Sequence, residues 1–337
     1  MEVLISVFVL SVGLLGLAAL LPVGSYTILE TIKADRAGDC GRAALRDVKV
    51  RRMLDPSGWF DGSGSAVAGS LVGASFWIDP LGLSKSAPAT VASGSISGGT
   101  LSRVNGGWFN FNLTPPQWAP LTPAQAQAIF TCPDDLIVTL PELMSPAQPF
   151  GRSRLMFNPS DPITGGNTPS FAGDYSWFLS VTRVYYSGTQ TFDPSRFRVS
   201  AVICYKRDFG GGTPAERAVS VPSSGFFDGP GGVGSVALGG GSIQLSGPIN
   251  DTPSSQLGVR VREGDWVALY SPTFNGQPWG LCSWYRVIAV SPDSTYLTLN
   301  GPDWQVTGND YVLAIGQSVL GVYTTTVELD QDPAWQQ

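Results

Sequence analysis

The reading turns on Met1–Leu54, MEVLISVFVLSVGLLGLAALLPVGSYTILETIKADRAGDCGRAALRDVKVRRML. One acid, Glu2, stands ahead of an apolar run, Val3 to Leu21, that carries no charge. At about 1.5 Å per residue, a helix of this length would cross a hydrocarbon core of roughly 30 Å. Ser6, Ser11, Gly13 and Gly16 interrupt it with small side chains of the kind that let helices approach closely. Pro22 follows and is expected to kink or loosen the helix. Beyond it Leu29, Ile32, Cys40, Ala44 and Val48 recur at threes and fours or multiples of them, with Glu30, Lys33, Asp35, Arg36 and Asp39 on the other faces. This predicts an amphipathic helix whose apolar stripe needs a partner. Gly38 and Gly41 are expected to weaken it by about 1 kcal/mol each relative to Ala. Asp55-Pro56-Ser57-Gly58 ends it. A cleaved secretory signal would open basic and have a shorter apolar core. A buried helix of a globule is disfavoured by the uninterrupted apolarity.

Glu2-Val3-Leu4-Ile5-Ser6-Val7-Phe8-Val9-Leu10-Ser11-Val12-Gly13-Leu14-Leu15-Gly16-Leu17 resembles the start of type IV pilins and type II secretion pseudopilins, the minor-pilin subgroup above all. The resemblance covers about the first 54 residues. It implies a prepilin-type N-terminal motif, and a helix that anchors the subunit in the inner membrane before assembly and then joins the core of the filament. It also implies that Glu2 neutralises the N-terminal amine of a neighbouring subunit and so sets axial register. Val3, Leu4, Ile5, Val7, Phe8, Leu10, Leu14 and Leu17 would form the membrane helix, with the kink at Pro22. The implied partners are other pilin-like subunits, the inner membrane, an assembly platform and the prepilin peptidase. The family's basic leader and N-methylated residue do not precede Glu2, where Met1 stands directly. Lys33, Arg36 and Arg42 alone would place the head in the cytoplasm, and a basic leader would reverse that. The expectation is a truncated start and an exported head, in the periplasm or at the cell surface.

A net charge of -6 and a pI near 4.7 argue against a nucleic-acid partner. The one basic concentration, Arg42, Arg46, Lys49, Arg51 and Arg52, reads as a solvated helix face. Histidine is absent, which excludes Ser-His and Cys-His nucleophiles and imidazole metal sites. Neither a cofactor nor a metal is expected, and the chain reads as a structural protein rather than an enzyme. Glu263 and Asp265 could pair with Asp303 or Asp310 in a membrane-tethered hydrolase, yet all four lie in turn-like text. Asp161–Asn167 lacks the ligand spacing of a calcium loop. The glycosylation sequons at Asn112 and Asn250 matter only in a host that uses them. A membrane-anchored adhesin outside any filament is the alternative to the filament subunit. Four widely spaced cysteines, Cys40, Cys132, Cys204 and Cys282, could form two disulfides in three connectivities, and free buried thiols are the plainer reading.

The expected fold class is α+β: a long N-terminal transmembrane and amphipathic helix packed on an antiparallel sheet, with an added small C-terminal β-barrel or sandwich. Residues 1–54 are the helix (1–22 transmembrane) and 55–215 a β-rich head with long loops. Residues 216–255 form a Gly/Ser-rich linker or loop and 256–330 a compact C-terminal β unit. The aromatics of 55–130 could bind a sugar or a partner, but such residues more often pin long loops to a core, and the structural reading is favoured. Thr122–Phe130 reads as a short capped helix with Pro at its first turn. Leu136–Leu140, Tyr175–Tyr186 and Phe197–Tyr205 read as strands of the head. Trp266–Tyr270, Trp284–Val290, Tyr296–Leu299, Tyr311–Ile315 and Val322–Leu329 read as strands of the C-terminal unit. Gly229–Gly234 matches a dinucleotide fingerprint only formally, without a strand before it or a helix after it.

Overall fold

The first helix, α1, runs as one element from Glu2 to Val50, across Pro22. The structure, a computed structural model, describes residues 2–61, 63–67, 75–85, 102–110, 117–132, 175–186, 191–207, 216–227, 236–237, 240–250, 260–272, 280–305, 310–315 and 319–328. The stretches Leu136–Leu140, Asp161–Asn167 and Gly229–Gly234 and the Asn112 sequon lie outside the described residues, as do Asp251 and Thr252 of the second sequon.

Glu30–Lys33 at 2.7 Å, Asp39–Arg42 at 2.6 Å and Asp47–Arg51 at 3.1 Å line the polar side of α1. Such pairs contribute about 0.2–0.5 kcal/mol each. The side of α1 that meets the head is a stripe of small residues, Ala37, Cys40, Gly41, Ala44 and Val48, all buried. The helix ends in a Schellman cap. Arg52 N–H donates to the Lys49 carbonyl (3.3 Å) and Met53 N–H to the Val48 carbonyl (3.1 Å). Glycine is usual at the left-handed position of this cap, but here it is Arg52, at φ 51°. A non-glycine residue in that backbone region costs about 1–2 kcal/mol.

Two sheets follow. Sheet I is ordered β1 (Trp59–Phe60), β3 (Ser102–Asn110), β2 (Phe76–Ile78), β6 (Tyr175–Tyr186), β7 (Thr191–Tyr205) and β17 (Val319–Glu328). A fourth strand, β4 (Gln117–Pro120), pairs with β3, and β5 (Thr131–Cys132) with β6. Pairing is antiparallel except between β2 and β3. Two short helices, α2 (Pro80–Lys85) and α3 (Pro123–Phe130), decorate it. Thr122 and Gln125 close a reciprocal capping box at the start of α3, as the sequence predicts.

Sheet II is ordered β8 (Glu216–Val221), β16 (Asp310–Ile315), β12 (Trp266–Ser271), β13 (Leu281–Val290), β14 (Tyr296–Asn300), β11 (Gly240–Gln244) and β9 (Phe226–Phe227). Its two end strands, β8 and β9, are neighbours in the chain, joined through 222–225. The sheet therefore curls into a half-barrel. Ser246 N–H reaches the Ser220 carbonyl at 2.9 Å across the closing edges. A separate ribbon pairs β10 (Val236–Ala237) with β15 (Trp304–Gln305).

Strand alternation puts successive side chains on opposite faces, which builds three apolar layers. Trp177, Leu179, Val181, Val199 and Ala201 face the small stripe of α1. Phe178, Val202 and Trp77 face Ala268, Tyr270 and Trp284 of sheet II. Val267, Leu269, Tyr285 and Val312 fill the half-barrel. Polar ties cross between the sheets: Ser75 Oγ donates to the Gly280 carbonyl (2.5 Å), Thr182 Oγ1 to the Cys282 carbonyl (3.2 Å) and Arg198 to Ser283 Oγ (3.1 Å).

At the margin of sheet I a buried carboxylate holds two guanidinium groups. Arg207 meets Asp79 with both terminal nitrogens, at 3.0 and 2.7 Å, and Arg103 Nε lies 3.3 Å away. Gly82 N–H donates to the same carboxylate at 3.1 Å, and a Cβ at Gly82 would stand 2.2 Å from its oxygen. Burial pushes the Asp79 carboxyl up, but Arg207 and Arg103 outweigh it and hold it below the usual carboxylate range.

Three expectations are corrected. The described residues are mostly β, 49% strand against 29% helix, rather than of the expected α+β class, because β-branched and aromatic strands fill both sheets. Among the described residues no helix is long and apolar enough to cross a membrane, which overturns the transmembrane segment at 1–22 and the single-pass inner-membrane placement. The long stretch of helix at Gly24–Val50 is studded with charge on its exposed faces. Residues 216–255 are no linker, since β8, β9, β10 and β11 lie within them. Nor is 256–330 a separate unit, because β17 returns to pair with β7 in sheet I.

Candidate assembly surface

Val3, Ile5, Val7, Phe8, Leu10, Val12 and Leu14 stand in solvent, 54% to 76% exposed. At about 100° per residue these positions fall on two opposite sides of α1 rather than on one face of it. A helix that is apolar on opposite sides needs cover on both. Full burial of each such side chain is worth about 1.5–3 kcal/mol. The apolar exposure continues toward the head through Tyr26, Ile28, Leu29 and Ile32. Leu29 and Ile32, expected in the head-facing stripe, are therefore outside it; the stripe begins at Ala37. The side chains of Glu2, Leu4, Leu17 and Pro22 lie outside the described ones.

Where α1 meets the sheet it is fixed in three ways. A disulfide joins Cys40 to Cys132 of β5, with Cα atoms 6.1 Å apart. Gly41 lies against the Tyr323 ring of β17, so close that a Cβ there would stand 2.2 Å from the ring. Gly41, read from sequence only as a weak point of the helix, is the residue that lets helix and strand touch. Lys33 Nζ lies 5.1 Å from the centre of the Tyr205 ring at the end of β7. Its pKa is raised by the hydrogen bond to Glu30.

Cys204 and Cys282 stay outside disulfide linkage, buried between the sheets. Burial pushes the Cys282 thiol up to about 11. It is a neutral, packed thiol that accepts from Ser180 Oγ at 3.6 Å.

Two of the four carboxylates considered for hydrolysis are engaged locally. Asp265 accepts from Arg262 N–H (2.7 Å) in the turn before β12, and burial raises its pKa. Asp310 is buried and accepts from the Trp304 indole at 3.1 Å. Asp303 and Glu263 are exposed. Among the described residues no group of three or more His, Cys, Asp or Glu could hold a metal. Among the described residues, the large apolar side chains of Val3 to Leu14 are the most exposed apolar stretch of the chain. No family model, curated protein or solved structure matches the chain.

Proposed function

We propose that this chain is a structural subunit of a pilin-like filament, of the minor-pilin or pseudopilin kind. The first half of α1 packs among the equivalent helices of neighbouring subunits, and the two-sheet head rides on the outside. One observation carries the reading: the large apolar side chains from Val3 to Leu14, exposed on two opposite sides of a helix whose other half is anchored in the head. A bundle of like helices covers both sides at once. Glu2 takes the register role, its carboxylate facing the N-terminal amine of the next subunit, which offsets the cost of a charge at the edge of an apolar bundle. The assembly platform and the prepilin peptidase are the partners that follow from the resemblance.

Phe8→Asp and Leu10→Asp test it. Both residues are exposed in the single chain, so the head of each variant is expected to melt at the wild-type temperature. Wild-type protein is expected to self-associate in sedimentation velocity and to form fibres under the electron microscope, and both variants to stay monomeric. Variants that associate like the wild type would sink the proposal, as would a wild-type chain that stays monomeric at every concentration tried.

A further inference from the structure

Where α1 ends, a cavity of about 600 Å³ opens against sheet I, of the size that small-molecule sites occupy. Its walls include Trp108 and Phe109 of β3, Trp118 of β4, and Arg51, Arg52 and Asp55 from the end of the helix. Phe109 and Trp118 meet edge to face at 5.8 Å and stay partly exposed. The polar groups differ in what they already do. Arg51 is paired with Asp47, and one Asp55 oxygen accepts from Ser57 N–H at 3.0 Å. Arg52 is exposed and has no carboxylate partner among the described residues.

Arg52 is also the residue whose presence the fold does not account for. The Schellman cap asks for glycine at this position, and the chain holds an arginine there in a left-handed conformation. The carbonyls of Asp47, Val48 and Lys49 are already occupied by backbone N–H groups, so the guanidinium is not needed to satisfy them. Strain kept at one residue beside an aromatic cavity points to a use for its side chain.

We propose that this cavity binds an acidic sugar. The apolar face of the pyranose ring stacks on the indole of Trp118, beside Phe109. The carboxylate pairs with the Arg52 guanidinium, which is planar and suited to two parallel hydrogen bonds. Asp55 offers an acceptor to a ring hydroxyl, which favours a hydroxylated acid over a purely aromatic one. The site lies at the opposite end of α1 from Val3–Leu14, so it does not depend on whether the chain assembles.

Tryptophan fluorescence of the full chain, titrated separately with D-glucuronate, D-glucose and benzoate, tests this. Glucuronate is expected to give a saturable change, with glucose and benzoate weaker by about ten-fold or more. Arg52→Gly removes the guanidinium and relieves the backbone together. It is expected to bind glucuronate no better than glucose while melting at or above the wild-type temperature. Arg52→Lys, which keeps the charge, is expected to retain part of the preference. Four results would each overturn the proposal. They are no saturable response to glucuronate, benzoate binding as tightly as glucuronate, an unchanged preference in Arg52→Gly, and a lower melting temperature for that variant with binding intact, which would make Arg52 a structural residue.

Discussion

Between Ala37 and Val48 the fully buried residues that α1 presses against the head are Ala, Cys, Gly, Ala and Val, with Leu45 packed half-buried beside them. Between Val3 and Leu14 the apolar side chains include Phe8, Leu10 and Ile5, and they stand in solvent. The usual order is largely inverted: the fully covered residues are small, and Leu45 is the large one that reaches the head core only in part. The covered half shows why small residues suffice there. Close approach to a broad sheet lets the strands supply the bulk, through Trp177, Leu179 and Tyr323. The bare half carries its own bulk, uncovered by the described residues. One half of α1 is held by this chain's own sheet, and the other is the half proposed above to pack among neighbouring helices.

The strongest way to break this comparison is to unfold the head that holds the covered half. Asp79→Asn leaves Arg103 and Arg207 buried without their carboxylate, and is expected to destabilise the fold by about 3–5 kcal/mol, read as a shift in denaturant midpoint. The pH profile should show the same group. The folded Asp79 carboxyl lies below its ordinary value of about 3.9, so its contribution is complete above that pH and is lost as pH falls through the lower, folded value. Wild type should therefore lose stability on acidification below about pH 4, and Asp79→Asn should lose less over the same window.

Next in size is the Cys40–Cys132 bond, which closes a sequence separation of 92 residues. Replacing both cysteines with serine is expected to cost about 2–4 kcal/mol, seen as a lower melting temperature that reductant no longer changes. Alkylation of the folded wild type under reducing conditions should reach Cys282 slowly, since its thiol is buried and neutral.

The smallest test sharpens the contrast by setting one substitution in each half. Gly41→Ala drives a methyl into the Tyr323 ring and is expected to destabilise by about 1–3 kcal/mol. Gly13→Ala meets nothing within 4 Å and is expected to stabilise the helix by about 0.5–1 kcal/mol. Circular dichroism of the two variants should move in opposite directions, and equal shifts would remove the distinction between the halves.

Much of the local structure was readable. The helix from Glu2 to Val50, the capped turn at Thr122, and the strands at Tyr175–Tyr186 and Trp266–Tyr270 all follow from spacing and turn chemistry. The half-barrel strands at 216–244 were hidden, because Gly and Ser hold little periodic signal, and backbone pairing with β16 and β14 stabilises them instead. The buried Asp79 site left no trace in the chain order, since Arg103 and Arg207 come to it from 24 and 128 residues away (103−79 and 207−79). In the assembly surface, Val3 to Leu14 was legible as an apolar run. That Leu29 and Ile32 belong with it, rather than with the head, was not.

The sequence by itself determined where the chain turns helical or extended, and that its opening is apolar on every side, because both depend on residues within a few positions of one another. Tertiary structure decided which cysteines join, which glycine allows contact, and that the last strand returns to the first sheet. It also decided where the covered part of α1 begins. Those outcomes depend on surfaces brought together from distant parts of the chain, and only the folded packing sets which surfaces meet.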